Sequence, residues 1–218
     1  MINIAIIEDH QVLVDALNYL IRSESDLNFV GGAGSLEEGR ELIRQASPDV
    51  LLLDVGLPDG NGLDLITDVK KFSPDTQVVV LTRYSDESTL MRAIDSGVSG
   101  FLPKGCTLPE LMNTIRKAAN GEIVMPPSLL VGLLKRIPRD KAVVTDDENI
   151  REHLTPRERD ILAHLARGKS VSAIAEELSI STLTVRTHIR NLLSKLGVHS
   201  RLEAVTYAIR NGLIDPIA

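Results

Sequence analysis

Five short apolar runs, each followed by an amphipathic stretch of helical length, fill residues 1–120 and constrain the fold more than any other feature of the chain. The runs are Ile2–Ile7, Leu27–Val30, Val50–Leu53, Val78–Leu81 and Gly100–Leu102. They are mostly β-branched or Leu-rich and do not alternate with polar residues, as expected of strands buried on both faces. Between them lie His10–Arg22, Leu36–Ala46, Leu63–Phe72, Glu87–Ser96 and Leu108–Asn120, with helix stops at Gly97 and Gly121 and N-caps at Ser35 and Thr107. Repeated strand–helix units demand right-handed crossovers and a mostly parallel sheet covered by helices on both sides. The pattern predicts a doubly wound, five-stranded α/β domain.

After Gly121 the pattern changes. Pro126 and Pro127 can open one more helix through Ser128–Lys135, and Ile137–Glu152, with its charge run Asp146, Asp147 and Glu148, has the composition of an exposed linker. From Leu154 onward only helical periodicity remains, in Pro156–Ala166, Ser170–Leu178, Thr182–Leu196 and Arg201–Asn211. The expected organisation is an α/β domain over 1–121, a helix and linker over 122–152, and an all-α four-helix domain over 153–218. Charge divides in the same way. Residues 151–218 hold 10 Lys and Arg against 7 Asp and Glu, a net +3, and the remainder holds 14 against 23, a net −9. A mildly basic end behind an acidic front fits a polyanionic partner for the second domain, although a solvated charged face has the same composition. With 43% hydrophobic and 25% charged residues, the chain has an ordinary globular composition. No apolar run approaches the roughly 18 residues of a membrane span, and MINIAIIEDH has no basic n-region. A cytoplasmic protein without membrane association is the expectation. The single Cys106 fits a reducing compartment, with a thiol sensor as the alternative reading.

In an open parallel sheet, ligands bind beyond the carboxyl ends of the strands. Here the first strand ends in Glu8 and Asp9, the third in Asp54 and the fourth in Thr82, and Lys104 follows the fifth. Three carboxylates gathered there repel one another unless a hard cation sits among them, and an oxygen-rich set suits Mg²⁺. With such charge neutralisation Asp54 could attack phosphorus and become an acyl phosphate. Lys104 and the Thr82 hydroxyl would then meet phosphoryl oxygens. Singly, each residue has a plainer role as a turn former, a loop hydroxyl or a surface charge. Their conjunction at four strand ends favours the chemical reading.

Residues 1–120 resemble the receiver domain of bacterial response regulators. The Glu8–Asp9 pair, Asp54 within DVGLPDGNG, Thr82 closing VVVLT and Lys104 within GFLPKG match in order and spacing. The resemblance implies the strand order 2-1-3-4-5, a sensor histidine kinase as phosphoryl donor and Asp54 as phosphoacceptor. It also implies Mg²⁺ on Asp9, Asp54 and the Gly56 carbonyl, with Glu8 acting through water. Pro58 and Gly62 match the shaping of the loop after the acceptor. Thr82 and the strand-five aromatic Phe101 take the switching positions; a plain core role for Phe101 is the other reading. The chain departs from the pattern at Arg83 and Tyr84, where a small residue usually follows the threonine, and at Gly105, where many receivers have proline.

In the second domain, Val185, Ile189, Leu192, Leu193 and Leu196 recur at helical spacing, leaving Arg186, Thr187, Arg190 and Ser194 on the opposite face. Ser181 is a candidate N-cap, and the stripe Val171, Ile174, Ala175 and Leu178 marks a shorter helix upstream, joined by a tight turn as in a helix-turn-helix. Two arginines on a helix are equally the mark of a wet surface. Residues 154–214 resemble the LuxR-type helix-turn-helix that ends NarL/FixJ-class regulators, through LTPRERDIL, AIAEEL, STLTVRTHIRNLLSKL and SRLEAV. That resemblance implies base contacts from Arg186, Thr187 and Arg190, and phosphate contacts from Thr184, His188, Lys195 and Arg201. It implies dimer contacts at Val205 and Ala208 or Ile209. His188 also reads as a packed or capping histidine.

The expected function is therefore a two-component response regulator that binds inverted-repeat sites on double-stranded DNA as a homodimer once Asp54 is phosphorylated. It would not be a turnover enzyme, beyond slow loss of its own phosphoryl group. Two rivals stand beside this reading. One is a dehalogenase-like Mg²⁺ phosphotransferase, which usually needs an acid two residues after the nucleophile, where this chain has Gly56. The other is a phosphorylation-independent DNA-binding regulator that uses the receiver as a dimerisation surface.

Overall fold

Ile4 to Ile7 and Val50 to Leu53 are wholly buried, which is why these apolar runs form central strands rather than edges. The computed structural model describes residues 1–82, 87–125 and 154–214. Arg83, Tyr84, the expected helix Ser128–Lys135 and the linker Ile137–Glu152 lie outside the described residues. The chain forms two compact units, Met1–Ala119 and Asn120–Ala218.

The first unit runs β1 (Ile2–Ile7), α1 (Gln11–Ser23), β2 (Leu27–Ala33), α2 (Leu36–Ala46), β3 (Val50–Asp54), β4 (Gly56–Leu57), β5 (Gly60–Asn61), α3 (Leu65–Phe72), β6 (Gln77–Thr82), α4 (Glu87–Asp95), β7 (Gly100–Pro103) and α5 (Leu108–Ala119). A turn of 3-10 helix, Gly62–Asp64, leads into α3. The main sheet is parallel, in the order β2-β1-β3-β6-β7. With the two-residue strands β4 and β5 set aside as a separate antiparallel pair, this is the expected order of the five principal strands. Register brings the strand ends level. Ile7 pairs with Leu53, Asp54 with Leu81, and Thr82 with Pro103, so Glu8, Asp54, Thr82 and Lys104 emerge along one edge.

The small hairpin follows from two local demands. A side chain at Gly62 would collide with the backbone carbonyl of Asp54, so the returning chain passes where only glycine fits. Asp59, at the tip, accepts from the amides of Leu36 (2.8 Å) and Glu37 (3.2 Å) at the start of α2. Those amides hold its carboxyl below the usual range and anchor the loop after Asp54 to a rigid helix. Ser35 caps the same helix end, accepting from the Glu38 amide.

The second unit contains α6 (Pro156–Ala166), α7 (Val171–Glu177), α8 (Thr182–Leu196) and α9 (Arg201–Arg210). Each begins at a hydroxyl N-cap: Thr155, Ser170, Ser181 and Ser200. Gly197, at φ 66°, ends α8 in the left-handed conformation that glycine adopts without strain. Ile161, Leu162, Ile174, Val185, Ile189 and Leu192 build the core with α9.

Candidate functional site

Three elements of the first unit converge on one charged pocket. Lys104, just after β7, places Nζ 2.7 Å from Asp54 Oδ2 and 2.7 Å from Glu8 Oε2. The side chains of Lys104, Asp54 and Glu8 are 12%, 11% and 0% exposed. Burial favours loss of the Lys104 proton, but the Asp54 and Glu8 carboxylates outweigh it and raise its pKa. Opposite these, His10 Nδ1 lies 2.7 Å from Glu8 Oε1 and 2.8 Å from Asp9 Oδ1. The Glu8 hydrogen bond, then the charge of Asp9, raise the His10 pKa. Thr82 and Phe101 are both buried on the neighbouring strands β6 and β7. Gly56 is exposed and pairs with Asn61 in the hairpin.

The donor set fits a divalent cation in chemistry: the carboxylates of Glu8, Asp9 and Asp54 crowd one sheet edge, with the Lys104 ammonium between two of them. The closest grouping nevertheless differs from expectation. Among the described residues, the group of ligand atoms lying within 4.8 Å of one another is Glu8, Asp9 and His10. Asp54 stands outside it, with an oxygen held by Lys104. His10 was not singled out in the sequence, although its place directly after the Glu8–Asp9 pair is the signal that could have found it.

In the second unit, α7 and α8 form the helix-turn-helix pair, connected through Leu178–Ser181. Val185, Ile189, Leu192 and Leu196 face the core, while Arg186, Thr187 and Arg190 are exposed on the outer face of α8. Thr184 and His188 are half-buried beside that face. Ser181 Oγ accepts from the Thr184 amide at 3.0 Å, and the two hydroxyls lie 2.8 Å apart.

Residues 4–116 match the family described as the response regulator receiver domain, and residues 152–208 match the luxR family of bacterial regulatory proteins. The chain is a LuxR-family response regulator. This response regulator is 32% identical over 214 residues to the uncharacterized transcriptional regulatory protein YxjL of Bacillus subtilis, covering 98% of each chain. It is equally 32% identical to the response regulator protein VraR of Staphylococcus aureus, covering 98% of this chain and 99% of that one. Among solved structures, the response regulator ChrA of a heme-sensing two-component system has 28% identity and a TM-score of 0.51, covering 98% of both chains. The structure of RcsB dimers bound to DNA shares the fold, with a TM-score of 0.56 at 23% identity over 94% of this chain and 97% of that one. No helix among the described residues of the regulator is long and apolar enough to cross a membrane.

Several of the expected DNA-contact and dimer residues have partners within the regulator's second unit. Val205, Ala208 and Ile209, expected as dimer contacts, are 5%, 0% and 7% exposed and pack with the cluster of α6 to α8. The apolar stripe of α9 closes its own unit. Lys195, expected on a DNA phosphate, places Nζ 2.8 Å from the buried Glu158. The guanidinium of Arg201 is turned to the carbonyl of Gly121. Glu158 forms a capping box with Thr155, accepting from its amide at 2.8 Å, a signal legible in the T-x-x-E spacing of LTPRE.

Burial alone would raise the Glu158 pKa, yet Lys195 and the Thr155 amide reverse that and leave it lowered. A carboxyl held lower in the folded than in the unfolded state stabilises above the ordinary value of 4.5 and loses that contribution as pH falls through the folded pKa. Thermal melts of this unit's signal should therefore decline more steeply below about pH 4.5 in the wild type than in Glu158→Gln. Equal slopes would remove Glu158 from the account. Lys195→Met should cost about 1–2 kcal/mol, less than a fully buried pair because Lys195 is partly exposed.

Proposed function

We propose that this regulator accepts a phosphoryl group on Asp54 from a sensor histidine kinase, and that the adduct shifts it toward a homodimer bound to inverted-repeat DNA sites. The observation carrying this reading is the single ammonium of Lys104 shared by Asp54 and Glu8 at the carboxyl edge of a parallel sheet. In the transfer, an Asp54 carboxylate oxygen attacks phosphorus while the phosphorus–nitrogen bond of the donor phosphohistidine breaks, its electrons staying on the imidazole. Lys104 moves from the carboxylate to the phosphoryl oxygens, and the Thr82 hydroxyl donates to another of them. Mg²⁺, held by Asp9, Asp54 and the Gly56 carbonyl with Glu8 behind them, would neutralise the incoming charge. Glu8 pairs with His10 and Lys104 at the same edge and would stand behind the cation's ligands. The protein is then a phosphoryl acceptor that slowly hydrolyses its own adduct, and no separate substrate is turned over.

The DNA end reads bases through Arg186, Thr187 and Arg190, with Thr184 and His188 near the backbone. Phosphorylation needs to favour the binding state by only about 1–3 kcal/mol to give a useful response. Operator affinity measured with and without acetyl phosphate and Mg²⁺ tests the coupling. A rise of about 5- to 150-fold is expected; the same affinity in both conditions would contradict the coupling and favour a receiver that serves only as a dimerisation surface.

A further inference from the structure

The outer face of α8 carries one residue that neither charge nor the core explains. Leu183 is 73% exposed, the one exposed large hydrophobic of the second unit among the described residues. An isolated exposed leucine is ordinary on a protein surface. This one stands one turn before Thr187 and on the same stripe as Arg186 and Arg190, all three of them exposed.

The hydrogen bonds decide what that stripe can offer. The Thr187 hydroxyl donates to the Leu183 carbonyl at 3.0 Å, the back-bond that a helical threonine makes to the preceding turn. Its one donor is thereby spent on the helix, which leaves the γ-methyl of the exposed Thr187 as an apolar group one turn from Leu183. The hydroxyls of Ser181 and Thr184 are likewise occupied with each other. The face therefore consists of two guanidinium donors beside an apolar pair, with few free hydroxyl donors. In the major groove, guanidinium groups suit the guanine O6 and N7 acceptors, and the one apolar feature on any base edge is the C5-methyl of thymine.

We propose that Leu183 and the Thr187 methyl form an apolar clamp for a thymine C5-methyl, making Leu183 a specificity-determining residue beside two guanine-reading arginines. The inference rests on the reading of α8 as the helix that enters the major groove. It assigns each half-site at least one thymine recognised by its methyl group rather than by a hydrogen bond.

The test begins with sites selected from random duplexes by the full-length phosphorylated protein. Each thymine is then replaced singly by uracil, which lacks only the methyl. At one position per half-site, the replacement should weaken wild-type binding by about 3- to 10-fold, the scale of one buried methyl or a little more. In Leu183→Ala, thymine and uracil should bind alike at that position, and Thr187→Ser should reduce the difference by about half. Both positions are exposed, and unchanged circular dichroism and melting confirm intact variants. The clamp is overturned if wild type ignores every uracil replacement, or if the preference persists in both variants. Failure to bind any duplex would instead overturn the placement of α8 in the groove, and the clamp with it.

Discussion

Asp54→Asn should take up no phosphoryl group from acetyl phosphate under conditions in which the wild type is converted, and its operator affinity should not respond to the phosphodonor. Asparagine has nearly the shape of aspartate, so β3 and the hairpin behind it should persist. The Asp54 carbonyl that packs against Gly62 is backbone and unchanged. What disappears is the nucleophile, since an amide oxygen has neither the charge nor the basicity to attack phosphorus. Lys104 keeps its contact with Glu8, 2.7 Å away, and remains in place. The expected effect is complete loss of the adduct on a phosphate-affinity gel and loss of the 5- to 150-fold response that about 1–3 kcal/mol of coupling represents. A response that survives would mean that acetyl phosphate acts elsewhere.

The second large effect belongs to α8. Arg190→Ala should weaken specific binding by about 1–3 kcal/mol, roughly 5- to 150-fold, and relax preference at one base pair of each half-site. Arg190 is exposed on the outer face, so its removal leaves the core of Val185, Ile189 and Leu192 intact and the melting temperature nearly unchanged. Lys195→Met should behave in the opposite way. Its ammonium holds the buried Glu158, so stability should fall while the dependence of binding on salt changes little. A melting loss in Arg190→Ala, or a reduced salt slope in Lys195→Met, would exchange the roles assigned to the two side chains.

The receiver site was legible because its residues sit where apolar runs end. Register then does the assembly: Ile7 opposite Leu53 and Thr82 opposite Pro103 bring Glu8, Asp54, Thr82 and Lys104 to one edge. The hairpin β4–β5 was not legible, since two-residue strands carry no periodicity. Nor was the role of Asp59, whose partners lie 22 and 23 residues away in α2. His10 was not legible for a different reason: outside any strand or stripe, its meaning comes only from the two carboxylates that it reaches. In the second unit the capped helices and the exposed stripe of α8 were readable from spacing. Periodicity identifies an apolar face without saying what covers it; Val205, Ala208 and Ile209 pack in the core of their own unit. Spacing likewise does not show that Lys195 meets a buried glutamate 37 residues away.

The most direct measurement concerns where the phosphoryl group resides. Treating the full chain with acetyl phosphate and Mg²⁺, reducing with borohydride and mapping peptides by mass should convert one aspartate to homoserine, and that aspartate should be Asp54. Conversion at Asp9 or another carboxylate, or no conversion while DNA affinity still rises, would contradict the central claim.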